Sequence, residues 1–193
     1  SRDFWLLLIG FAFVGMLAQS AVLSWTATYL RSTYGWTAIE AGFGGGLVAA
    51  GLMVFPTPFG LLADRLRKRR TVMLVGCGLG LLGWTLLLAA TNPLVGIVGA
   101  LLVSASMAAT IPMQAVYASE RFSSVGAGAA VGLINTGGQI AQALAPPVYG
   151  ALLDQGFGFS AIWATTVILG VLRTIAVLLL GEPEPDGAEM PRR

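Results

Sequence analysis

Gly60-Leu61-Leu62-Ala63-Asp64-Arg65-Leu66-Arg67-Lys68-Arg69-Arg70 closes one long apolar segment and opens onto the densest run of positive charge in the chain. A shorter echo, Gly150-Ala151-Leu152-Leu153-Asp154, closes another apolar segment in the opposite half. An apolar segment that ends on an acid and then on clustered cations reads as a span that has reached a membrane surface, where the cations meet lipid headgroups. Outward from these two marks, apolar runs cover residues 4–30, 38–63, 71–90, 94–117, 126–153 and 159–180. Each holds at least the roughly 20 residues that a helix needs to cross a hydrocarbon core. Lipid offers the backbone no hydrogen bonds, so helices that satisfy their own are the natural outcome. The expected fold is an all-α membrane protein with six transmembrane helices.

Composition agrees with that class. The 193 residues are 56% hydrophobic and 10% charged, whereas an average soluble domain carries about 25% charged residues. The 26 glycines suit closely packed membrane helices. Histidine is absent, which removes a histidine general base and most zinc sites, and no cofactor or metal is expected. Cys77 is the only cysteine, so no intramolecular disulfide can form. A Gly-x-x-x-x-Gly-Lys loop is missing, which argues against intrinsic ATP hydrolysis. With no assignable pair of membrane carboxylates either, the chain does not read as an enzyme. The basic cluster has no interleaved aromatics, so nothing favours a nucleic-acid partner.

An even number of spans puts both termini on one side. That side collects Arg2, the run from Arg65 to Arg70, Arg121, Arg192 and Arg193, against Arg31 alone on the other. By the positive-inside rule the termini and the basic loop are expected to be cytoplasmic. Residues 1–181 read as the transmembrane domain. Residues 182–193, with Pro183, Pro185 and Pro191, read as a polar cytoplasmic tail that cannot continue the last helix. The two glycine-to-aspartate patterns end spans two and five on opposite faces, as three-plus-three inverted repeats would place them.

Gly60-x-Leu62-x-Asp64-Arg65-x-Arg67-Lys68-Arg69 resembles the loop motif G-x-L-x-D-R-x-G-R-[RK] of the major facilitator superfamily, found between the second and third helices of a six-helix half. It departs at Arg67, where the full motif has glycine, as the C-terminal copy often does. Pro146-x-x-x-Gly150-x-x-x-Asp154 adds to the likeness, which covers essentially the whole chain. The resemblance implies one half of a transporter, corresponding to helices seven to twelve. A missing N-terminal six-helix half, or a second copy of this chain, would complete it. It further implies an integral protein of a bacterial inner (plasma) membrane. The implied activity is secondary active transport of a small solute by alternating access, with the proton as coupling ion and lipids as neighbours. Gly132-Leu133-Ile134-Asn135-Thr136-Gly137-Gly138, before Pro146-Pro147, is similar to the equivalent helix of organic-anion symporters and also to that of drug exporters. A six-helix channel or a self-assembling half-transporter stays open as the alternative.

The resemblance implies that spans one, two, four and five line the central cavity, leaving three and six outside. Helical phase then nominates the substrate-binding residues. On span five Asn135, Gln139 and Gln142 recur on one face; on span four Thr110, Gln114 and Tyr117 do so; on span one Gln19 and Thr26 share a face beside Trp25 and Tyr29. A glutamine at membrane depth needs a partner or a wet cavity. For gating, Gly60 and Ala63 would allow close helix contact, while Asp64 with Arg65, Lys68 and Arg69 would latch one conformation. Pro56, Pro58, Pro112, Pro146 and Pro147 are candidate kinks. No acid lies deep in any span, so a proton-titrating carboxylate is expected in the other half. Arg173 is the sole charge well inside a span.

Overall fold

The computed structural model describes residues 1–66 and 68–181, the side chains of 123–125 excepted. Arg67 and the tail at 182–193 lie outside the described residues. Among the described residues six helices follow one another: α1 (Arg2–Tyr34), α2 (Ala38–Leu66), α3 (Arg69–Ala89), α4 (Pro93–Arg121), α5 (Ser123–Asp154) and α6 (Gly158–Leu179). No strand occurs among the described residues. Five of the helices, all but α5, are long and apolar enough to cross a membrane. α5 has 32 residues, and none between Gly126 and Leu153 is charged. This is an all-α membrane protein.

Local chemistry sets the helix ends. Gly35 stops α1 in the left-handed region (φ 70°), its N–H donating to the Arg31 carbonyl at 3.1 Å. Thr37 then starts α2 with a capping box: the Glu40 N–H donates to Thr37 Oγ1, and the Thr37 N–H donates back to Glu40 Oε2. Asn92 caps α4, accepting from the Val95 N–H at 3.1 Å, with Pro93 at the first helical position. α4 runs on to Arg121, four residues beyond the apolar run 94–117, so the break between the fourth and fifth helices is shorter than the gap between those runs. The chain turns within α5 instead, at Gly126, whose φ of 101° and ψ of 68° are open to glycine and strained for other residues.

Two other departures from straight helix stand out. α2 breaks at Phe55, between segments Ala38–Val54 and Pro56–Leu66, where prolines remove N–H donors. Pro112 in α4 and Pro146-Pro147 in α5 stay inside unbroken helix. α1 contains a π-helical stretch, Leu6–Phe13, that no feature of its residues announces.

The helices alternate in direction, and contacts define one basic end. The Arg2 guanidinium donates to the Leu179 carbonyl at 3.1 Å, joining the start of α1 to the end of α6. Arg121, at the end of α4, meets Asp3 at 2.8 Å. Asp64 ends α2 at this basic end, while Asp154 ends α5 at the opposite one, the inverted placement expected of the two patterns.

Two apolar cores stack along the bundle. One, around Leu7, Phe11, Met73, Cys77 and Tyr117, serves the basic end; the other, around Tyr29, Trp84, Tyr149 and Trp163, serves the far end. Contact between α3 and α4 is backbone to backbone: a Cβ on Gly83 would lie 2.6 Å from the Gly99 carbonyl oxygen. Small residues permit that approach where lipid supplies no hydrophobic drive between helices.

Candidate solute pathway and basic end

A cavity of about 530 Å³ lies among α1, α2, α4 and α5. Its wall takes Met16 from α1, Leu52 from α2, Met107 and Pro112 from α4, and Ile134 from α5; α3 and α6 contribute nothing to it. Four amides interrupt this apolar lining: Gln114 on α4 and Asn135, Gln139 and Gln142 on α5. None of the four has a protein partner among the described residues. An amide left so in a dry apolar site costs about 1–3 kcal/mol, so these groups call for water, a ligand or a facing protein surface.

The other nominated residues lie elsewhere. Gln19 and Thr110 are fully buried behind the wall, where Gln19 Nε2 donates to Thr110 Oγ1 at 3.3 Å and Thr110 donates to the Ser106 carbonyl at 2.7 Å. Thr26 is buried and donates to its own helix at the Val22 carbonyl. Tyr29 is in the far-end core, sharing a hydrogen bond with Tyr34 at 2.9 Å and packing edge-on against Phe159 and Trp163. Trp25 packs edge-on against Phe159. Tyr117 is buried at the basic end, its hydroxyl donating to the Gly181 carbonyl.

At the basic end the cations divide into two kinds. Arg69 bridges two helices' acids, Asp64 at 3.6 Å and Glu120 at 3.2 Å. Arg70 donates to the Val177 and Leu178 carbonyls, satisfying orphan acceptors at the negative end of α6. Arg65 and Lys68 are exposed and have no partner among the described residues. Ala63 is the buried small residue of the motif. Gly60 faces open space: a Cβ there would meet no atom within 4 Å, so it makes no close helix contact here. Asp3, Glu120, Arg121 and Arg70 were not singled out for this network from sequence. The available signal was their position at helix ends that alternate onto the same side.

Arg173 is 2% exposed, its guanidinium 4.2 Å above the Phe11 ring and packed on Gly15. The face of a π-system stabilises a cation where water is excluded. The residue is on α6 and takes no part in the cavity wall.

A family model described as Major Facilitator Superfamily matches residues 4–192. The chain belongs to that superfamily. It is therefore an integral, multi-pass membrane protein of a superfamily that binds small molecules and carries them across membranes. No curated protein matches the chain.

Proposed function

We propose that residues 1–181 form one six-helix half of a secondary active transporter, its basic end cytoplasmic, which moves a small solute by alternating access. The single observation that carries this reading is the unpartnered amide wall of Gln114, Asn135, Gln139 and Gln142 in a cavity bounded by the four inner helices. Neutral amides both donate and accept, so they suit a polar or anionic solute stripped of part of its water. A second six-helix half, on the same polypeptide or as another copy, closes the cavity's open side. The solute is a small organic anion moved with protons, and the protonating carboxylate belongs to that other half, because no acid lines this cavity. Asp64, Arg65, Lys68 and Arg69 form the cytoplasmic gate; the Arg69 bridge latches one state and releases in the other.

The test is uptake of a panel of small organic anions by vesicles holding the protein at its native length, with the outside acidified. Accumulation that a protonophore abolishes, and that falls about tenfold in the N135A/Q139A double variant, is the expected result. Downhill flux indifferent to the gradient would overturn coupling and favour the self-assembling channel. Immunodetection of the native chain separates the two completions: a polypeptide of about twice this length carries its own second half.

A further inference from the structure

A second, wholly different pocket opens on the other face of α4. The cavity-lining positions Met107, Ile111 and Gln114 lie on one side of that helix, and Val98, Leu101 and Leu102 lie on nearly the opposite side by helical phase. There, α2, α3 and α4 enclose a groove of about 510 Å³ whose lining is entirely apolar, with Phe55, Phe59 and Leu62 from α2 and Leu79 from α3. It sits at membrane depth, and no side chain in it could orient a polar solute.

The stripe that lines the groove continues beyond it. Phe55, Phe59 and Leu62 recur at four- and three-residue steps; Leu66 continues that face of α2, and Arg65 stands at its edge, three residues beyond Leu62. The groove therefore runs about 10 Å along α2 from Phe55 to Leu62 and then meets a cation one helical turn later. Among the described residues of the basic run, Arg65 and Lys68 are exposed and unpartnered, whereas Arg69 and Arg70 are held by the protein. The nearest acid, Asp64, is paired with Arg69 at 3.6 Å.

From an apolar groove on α2 that is followed within two helical turns of sequence by the exposed cations Arg65 and Lys68, we propose a specific site for an anionic phospholipid of the basic-end leaflet. One acyl chain lies in the groove and the phosphate lies between Arg65 and Lys68. Hydrocarbon fills the groove because nothing there hydrogen-bonds. The headgroup is anionic because each nearby cation favours negative lipid, by a factor of about five. The groove shares no lining residue with the solute cavity, and because its two cations also belong to the proposed gate, the test reads lipid retention and not transport.

The experiment is native mass spectrometry of the detergent-purified protein after titration with phosphatidylglycerol or with phosphatidylcholine of the same chains. One phosphatidylglycerol should be retained in preference, and R65Q/K68Q should erase that preference, about 25-fold for the two charges together. L79W, which fills the groove, should lower retention of both lipids; L101F is the milder alternative if that variant does not fold. Equal retention of the two lipids by the wild-type chain would overturn the proposal. So would a preference that survives R65Q/K68Q, or one reproduced in full by glycerol 3-phosphate, which has no acyl chain.

Discussion

The basic end and the cavity wall are both polar regions of an apolar chain, and they treat their polar groups in opposite ways. At the basic end Asp3, Asp64, Glu120, Arg69, Arg70 and Arg121 are bonded to one another or to helix carbonyls. On the wall, Gln114, Asn135, Gln139 and Gln142 are bonded to no other residue described, although amides at membrane depth are costly to leave so. Gln19 and Thr110 mark the boundary: both are buried, and the Gln19 amide N–H is bonded to the Thr110 hydroxyl while Gln19 Oε1 has no partner among the described residues. Polar groups that satisfy each other fix helix positions. Polar groups left facing space are available to a guest.

That contrast is open to direct attack. The largest effect should come from R121A, which removes the 2.8 Å partner of Asp3, a carboxylate only 8% exposed. The loss should be about 2 kcal/mol of stability, seen as a melting temperature several degrees lower in detergent, with R121K recovering part of it. N135A/Q139A should do the reverse: transport about tenfold slower, with stability changed by less than about 0.5 kcal/mol. Melting as low as that of R121A would mean that the wall is structural, and the comparison would fail.

Smaller effects sharpen the picture. R69Q breaks two partly exposed pairs and should cost under about 1 kcal/mol, because solvent screens them. Its clearer signature, shared with D64N, should be slower turnover with unchanged substrate affinity. Altered affinity with normal cycling would remove the gate from the basic end. G60A should be the mildest, shifting stability by less than about 1 kcal/mol and in the favourable direction, since alanine suits a helix better than glycine. A marked loss would show that another surface meets α2 at Gly60.

The spans were legible because their signal is local: length, apolarity and breakers lie within each run. The basic end was legible in part, since clustered arginines alternate onto one side, yet Asp3 and Arg121 are 118 residues apart and no periodicity announces their pairing. For the wall, helical phase identified faces but not what covers them. It grouped Gln139 with Asn135, which line space, and equally grouped Thr110 with Gln114, of which only Gln114 reaches the cavity. Thr26 was beyond reach for a simpler reason: its hydroxyl bonds its own helix, an option open to any helical threonine. The glycines of α2, α3 and α4 carry a similar ambiguity. Gly83 and Gly99 are in backbone contact, whereas Gly60 and Gly78 meet nothing, and sequence alone does not separate them.

The most direct test of the solute pathway is thiol accessibility at the wall. N135C in a C77S background would be labelled with a membrane-impermeant thiol reagent, applied in turn to each side of sealed vesicles. The pathway reading predicts reaction from both sides, with the balance shifting when a transported solute or a proton gradient is imposed. Failure to react from either side, as a lipid-buried position would, contradicts it.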